Sequence, residues 1–406
     1  MALLYVITIT GLLGNTLLNP ALPDVLDDLG VGDGAAGPLV AAGALPGIVM
    51  APVIGLLADR FGRRVVLVPC LVAFGVFGLA SALAPSFTVL LVLRLLQGVG
   101  AAGLVNLAVV IIGDHWEGIE RSRRIGRNAA VLTVGLAVLP PVGGFLTDLG
   151  GWRLAFAPYG VGLLTAAVVW RVLAEVRPDA GTSVRAQLGA SVSAVGTRRV
   201  GSVLVVGFVV FMLIFGLLLT TLPLHLEDRF GLTAGQRGLV LSVPALTSTL
   251  GALLVGRLHL RLGGDRVVLV ALSLFVVAFA VMAGAPTLPV LVVGALVYGF
   301  GEGVLVPRLQ DAVAEEAPAA SRGAVVAAWV GAARAGQTVG PMVAAGTLAT
   351  VGTGTTFALG SGLSVALLGY ASLVRDRRVS ARTSTSSSPV ARDATRPSPS
   401  TNTKNG

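Results

Sequence analysis

The chain has 406 residues, of which 54% are hydrophobic and only 12% charged, with a mean hydropathy of +0.87. Soluble domains carry roughly 25% charged residues, so a soluble fold is excluded by the amount of apolar surface it would have to hide. The net charge of +9 and the pI of about 11.0 do not indicate a nucleic-acid partner, because the basic residues fall mostly in alternate loops between apolar runs.

Apolar runs of about 20 residues, long enough to cross a bilayer as a helix, recur from Leu3 to Val374. Backbone polar groups in lipid must be satisfied internally, and continuous runs of this kind fit helices rather than the alternating strands of a barrel. The expected class is an all-α integral membrane protein with about twelve transmembrane helices in two six-helix parallel repeats. The spacing places the first six helices at 3–23, 35–58, 65–84, 87–112, 128–149 and 153–174. The second six fall at 202–224, 238–256, 267–285, 288–309, 324–349 and 355–374.

The first run starts at residue 2 without a basic region before it, so it is expected to remain as a helix rather than be cleaved as a signal peptide; a true start further upstream is the alternative. Most of the 29 basic residues lie in the 2/3, 4/5, 6/7, 8/9 and 10/11 loops and in the tail, which puts both termini in the cytoplasm. Arg121, Arg123, Arg124 and Arg127 form the densest cluster, read as fixing topology in preference to binding a particular lipid. The domain plan is a first half over 1–174, a cytoplasmic connector over 175–201, a second half over 202–374, and a disordered Ser-, Thr- and Pro-rich cytoplasmic tail over 375–406. Lys404 is the only lysine among many arginines, a bias of GC-rich genomes that points to a bacterial plasma membrane.

A shift of 201 residues superimposes Gly30, Gly34, Gly37, Gly55, Arg60 and Gly62 on Gly231, Gly235, Gly238, Gly256, Arg261 and Gly263. Further along, Pro85, Gly98, Gly100, Gly135 and Pro140 fall on Pro286, Gly299, Gly301, Gly336 and Pro341. One offset held without a gap over more than a hundred residues reads as an internal duplication, and parallel halves of this kind rock about a central site.

In chain order, helix 1 carries Asn15 and Asn19, candidates for hydrogen bonding into a substrate cavity or for gluing helices together. Helix 2 has small residues at Gly43, Gly47, Ala51 and Gly55, a stripe that lets helix backbones approach. The 2/3 loop reads Gly55-Leu56-Leu57-Ala58-Asp59-Arg60-Phe61-Gly62-Arg63-Arg64; its glycines permit a tight turn and its arginines meet the interface. In helix 4, Arg94 and Gln97 share a face, and a charge inside a span is a functional candidate by default. Helix 5 runs Gly135-Leu136-Ala137-Val138-Leu139-Pro140-Pro141-Val142-Gly143-Gly144, with the proline pair expected to kink it. Trp152, Arg153 and Phe156 read as interfacial anchors.

In the second half, Tyr298 and Glu302 lie one turn apart on helix 10, and helix 11 holds Arg334 within a stripe of Ala328, Ala332, Gly336, Gly340 and Ala344, followed by Pro341 on a neighbouring face. Glu302 is the one acidic residue placed well inside a span. Burial and nearby arginines pull its protonation in opposite directions, so substrate or movement could switch it. A permanent Glu302–Arg334 ion pair is the alternative. There is no GxxxxGK[ST] phosphate loop, and three histidines with the single Cys70 offer no metal cluster. No cofactor is expected, the chain is not read as an enzyme, and its energy must come from a gradient.

The 2/3 loop, the helix 4 set and the helix 5 segment resemble signatures of the major facilitator superfamily, and within it the twelve-helix drug:proton antiporters. Leu139 stands where that family's helix 5 signature has a glycine, and Leu260 stands where a second copy of Asp59 would be. The resemblance implies a proton-coupled exporter of small amphipathic molecules, acting as a monomer by alternating access. It implies a gate latch at Asp59, facing the start of helix 11, within a gating set of Gly55, Arg60, Gly62, Arg63, Arg64, Gly135, Pro140, Gly143, Gly144, Gly336, Gly340 and Pro341. Coupling falls to Glu302, Arg94 and Arg334, and a substrate cavity to Asn15, Asn19, Gln97 and Tyr298. The partners are then a small-molecule substrate, protons and the lipid bilayer. Transport of a specific metabolite anion on Arg94 or Arg334 is an alternative, and a non-transporting membrane sensor a second.

Overall fold

The computed structural model describes residues 1–173, 198–316 and 322–386. Most of the expected connector, and the tail beyond residue 386, lie outside the described residues. Among the described residues the regular structure is all helical, as the apolar runs require. Ten spans follow in order: α1 (Ala2–Asp28), α2 (Asp33–Phe61), α3 (Arg63–Ser81), α4 (Phe87–His115), α5 (Gly118–Gly150), α6 (Leu154–Val172), α7 (Val200–Phe230), α8 (Ala234–Leu262), α9 (Gly264–Gly284) and α10 (Leu288–Glu315). An eleventh continuous stretch, Val325–Asp376, is two spans joined at Gly352, whose φ of 76° and ψ of 176° break the helix. These two are α11 (325–351) and α12 (353–376). All eleven stretches are long and apolar enough to cross a membrane.

The duplication extends to backbone conformation. Gly30 and Gly231 have φ of 64° and 61°, Gly62 and Gly263 have 104° and 80°, and Gly151 and Gly352 have 75° and 76°. Each pair is separated by 201 residues and sits at a helix end or junction, where only glycine turns the chain this way without strain. The third pair continues the same offset of 201, and Gly352 falls in Thr350-Val351-Gly352-Thr353-Gly354, the gap left between the expected helices 324–349 and 355–374. Local caps reinforce other starts: the Ser86 side chain accepts from the Val89 N–H, and Thr233 and Gln236 form a reciprocal capping box that begins α8 four residues earlier than expected.

The buried side chains form two clusters, one running from Leu4 to Val169 and the other from Val200 to Leu367. Leu224 and Leu348 are the exceptions, second-half residues that pack into the first cluster. Aromatic stacking builds each core, through Phe74, Phe156 and Tyr159 in the first and Phe275, Phe279 and Tyr298 in the second. Trp152, at the junction of α5 and α6, is buried. Its indole N–H donates to Asp28 at 2.9 Å, and Arg153 pairs with the same carboxylate at 2.6 Å.

Helices α2, α5, α8 and α11 carry the seam between the clusters, and their two ends are packed differently. At the end bearing Asp24, a Cβ on Gly37 of α2 would collide with the Pro341 carbonyl of α11. One on Gly144 of α5 would strike the Ala234 carbonyl of α8, and one on Gly238 of α8 the Pro140 carbonyl of α5. At the end bearing Asp59, a Cβ on Gly55, Gly126, Gly256 or Gly331, one on each of the same four helices, would meet nothing within 4 Å. The halves are therefore closed on each other at the Asp24 end and splayed at the Asp59 end.

Candidate functional site

Between the closed end and the splayed end lies a cavity of about 290 Å³. Both halves line it: Thr16 and Asn19 from α1, Thr133, Leu136 and Pro140 from α5, Phe211 to Leu219 from α7, Leu241 to Ser248 from α8, and Tyr298 and Glu302 from α10. Its wall is mostly apolar, and Glu302 is its one ionisable carboxylate. No hydrogen bond or ion pair to Glu302 is found among the described residues. The Asn19 side-chain oxygen, buried in the same wall, also has no partner, so two polar groups are left facing the space.

The α7 part of the wall is unusual in its backbone. Ile214–Thr221 forms a π-helix, and the hydroxyls of Thr220 and Thr221 donate to the carbonyls of Phe215 and Gly216 at 2.8 Å, five residues back. Such wide turns are rare and are found mostly at functional positions. Composition and periodicity carry no signal for one, because the run, apolar but for Thr220 and Thr221, reads as any other span.

The expected substrate residues separate into two groups. Asn19 and Tyr298 face the cavity with Glu302. Asn15 and Gln97 do not line it; they bind Arg94 instead, each at 2.6 Å through the side-chain oxygen. Arg94 is 1% exposed, and no carboxylate pairs with it among the described residues. Gly43 of α2 makes this seat possible, since a Cβ there would come within 2.7 Å of the Asn15 oxygen and 3.0 Å of the guanidinium. One turn along α2, Gly47 faces Arg334, whose guanidinium would lie 3.6 Å from a Cβ there, an ordinary contact; Arg334 bonds Gln337 at 3.3 Å and does not pair with Glu302. The small-residue stripe of α2 thus clears space for the Arg94 guanidinium and lies in ordinary contact with that of Arg334.

The glycines of the α11 stripe face α7. Gly336 and Gly340 pack against the Phe208 and Met212 carbonyls of α7, inside their own half. Contact of α11 with α2 runs instead through Pro341, Ala345 and Ala349, opposite Gly37 and Gly34. In α5, Gly143 packs on the Leu17 carbonyl of α1 and Gly135 on the Leu12 side chain, while Gly144 crosses the seam.

At the splayed end Asp59 is 61% exposed and pairs with Arg63, which also binds Asp114 at 2.9 Å. The side chains at the start of α11, which the latch would face, lie outside the described residues. Gly62 supplies the turn, Arg60 lies over the Phe61 ring, and Arg64 lies over Trp170 at 5.2 Å.

The family model for the Major Facilitator Superfamily matches residues 4–236 and 204–401, nearly the whole chain. The chain belongs to the Major Facilitator Superfamily. Members of this superfamily are transporters rather than enzymes, and this facilitator resembles its drug-exporting branch. It is 28% identical over 350 residues to the tetracycline resistance protein, class B, of Escherichia coli, an alignment covering 83% of this chain and 86% of that protein. To the multi-drug resistance efflux pump PmrA of Streptococcus pneumoniae it is 26% identical over 347 residues, covering 80% and 84%. The bacillibactin exporter of Bacillus subtilis is 27% identical over 265 residues, covering 63% of this chain and 65% of that one. Among solved structures, the nucleoside transporter NupG matches with a TM-score of 0.73 at 17% identity, covering 92% and 99%. A bacterial homolog of the lysosomal transporter Spinster, in an inward-facing unoccupied conformation, gives 0.71 at 19%, covering 92% and 94%. At these identities the two structures speak for the facilitator fold alone.

Proposed function

We propose that this facilitator exports small amphipathic molecules across the bacterial cell membrane in exchange for protons, by alternating access. The observation that carries the reading is the cavity itself: apolar walls drawn from both halves, one carboxylate without a partner, and a path closed at one end only. An apolar pocket with few polar groups suits an amphipathic ligand. A carboxylate inside a span is a candidate proton carrier.

Orientation follows from the arginines. Arg60, Arg63, Arg64 and the Arg121–Arg127 cluster lie at the splayed end, which by retention of basic residues is the cytoplasmic side. Both termini are then cytoplasmic, and the described state is inward-facing, ready to take substrate from the cell. The halves 1–174 and 202–374 rock about the cavity, joined by the connector. Glu302 binds the proton, Arg94 tunes coupling from its seat behind the wall, and Asp59 with Arg63 forms part of the inner gate. The unit is a monomer.

The test is internal pH in proteoliposomes during addition of a panel of lipophilic drugs and small metabolites, with Glu302→Gln alongside. Substrate-dependent proton movement that disappears in Glu302→Gln is the expected result. Flux without proton movement, or a fully coupled variant, removes Glu302 from the mechanism.

A further inference from the structure

The closed mouth is bridged by a residue that no motif singles out. Arg237 lies on the first turn of α8 and is 1% exposed. Its Nε donates to the Pro20 carbonyl at 2.9 Å, one terminal nitrogen meets Asp24, and the other meets Glu227 at 2.9 Å. Pro20 and Asp24 belong to α1 in the first half. Glu227 belongs to α7, in Arg237's own half. Two of the three bonds therefore cross the seam and one does not.

We propose that Arg237 is the gating residue of this mouth, locking the halves through Asp24 and Pro20 while it is shut and passing to Glu227 alone when the halves part. The proposal rests on the reading of the cavity as a transport path. A guanidinium removed from water needs a carboxylate close by, and stripping it of every partner leaves a strongly disfavoured charge. If Asp24 were its only acid, opening would strand it. Glu227 stays beside it in either state and lowers the cost of parting. The two carboxylates consequently act in opposite directions: Asp24 favours the shut mouth, and Glu227 makes the open one accessible. A further polar contact across the same seam is made by Asp148, which takes the Thr233 hydroxyl at 2.8 Å and the Gly235 N–H at 2.9 Å. Loss of the Arg237 lock should therefore shift the equilibrium of the mouth rather than dissolve the seam.

Leu224 offers a reporter, being 2% exposed and packed into the first-half cluster from α7. In a Cys70→Ser, Leu224→Cys background, the rate of alkylation by a membrane-impermeant maleimide applied at the Asp24-end face reads how often this mouth opens. Asp24→Asn and Arg237→Gln are expected to raise that rate roughly tenfold or more, the scale of one buried hydrogen bond to a charged group. Glu227→Gln is expected to lower it. A parental rate in Asp24→Asn, or a rise in Glu227→Gln equal to that in Asp24→Asn, overturns the proposal. Asp24→Asn keeps the side-chain shape and decides the matter alone if Arg237→Gln does not fold. Alkylation needs neither substrate nor protons, so failure of the lock would leave proton-coupled export standing, and failure of proton coupling would leave the lock standing.

Discussion

The guanidinium of Arg308 lies against Gly264, the residue that stands 201 positions after Arg63 and carries no side chain. In the first half, Arg63 at the start of α3 reaches Asp114 at the end of α4. In the second half, the position matching Asp114 is Glu315, and Arg308 from α10 binds it through both terminal nitrogens at 3.1 and 3.0 Å. The arginine–carboxylate pair is kept in both halves, but its arginine comes from a different helix. The glycine is what leaves room for it.

Gly264→Ala is accordingly expected to displace Arg308 and to lower stability by about 1–3 kcal/mol, the range for disturbing a charged hydrogen-bonded pair. Gly256→Ala, with nothing within 4 Å of the new methyl, is expected to be neutral or slightly stabilising, since alanine favours a helix by roughly 1 kcal/mol over glycine. Combining Gly264→Arg with Arg308→Ala rebuilds the first-half arrangement and is expected to recover stability lost in Arg308→Ala. Thermal unfolding in detergent checks all three.

Gly352 and Gly151 share one positive-φ, extended conformation that favours glycine, with ψ of 176° and 170°. Alanine is strained there by about 1–3 kcal/mol. Gly352→Ala and Gly151→Ala are expected to lower the melting temperature by similar amounts, whereas Gly346→Ala, in unobstructed helix, is not. Unequal losses would mean that the two junctions bear different loads despite their matching backbones.

A methyl group at Gly144 would overlap the Ala234 carbonyl across the closed seam. Gly144→Ala is expected to weaken closure there and cut the transport rate by about tenfold, the effect of roughly 1.4 kcal/mol on the required state. Gly126→Ala, on the splayed part of the same helix, is expected to transport normally. Initial rates of substrate efflux from loaded vesicles separate the two.

Arg94 is held by the neutral oxygens of Asn15 and Gln97. Asn15→Ala is expected to destabilise the protein by about 1–3 kcal/mol, because it leaves a buried charged donor short of an acceptor. Asn19→Ala, whose side-chain oxygen has no partner, is expected to cost less stability and to change substrate affinity instead. Melting temperature and substrate binding, measured together on both variants, test the separation.

The all-helical membrane fold, the position of nearly every span and the duplication were legible in the residues alone. Hydropathy is a property of consecutive residues, and a fixed offset of 201 survives in the glycines and prolines that turn the chain. Arg94, Arg334 and Glu302 were legible for the same reason: a charge in an apolar run stands out without any knowledge of its neighbours. What each of them meets was not. Asn15 is 79 residues from Arg94, and Asp24 is 213 residues from Arg237, so nothing local announces either pair. Arg237 looked like an ordinary loop arginine until the α8 capping box drew it into the seam. Which mouth is shut, which glycines bear on it and which polar groups face the cavity depend on how two similar halves lean on one another. That was decided only by the tertiary structure, because the same spans and the same local preferences are compatible with either mouth being closed.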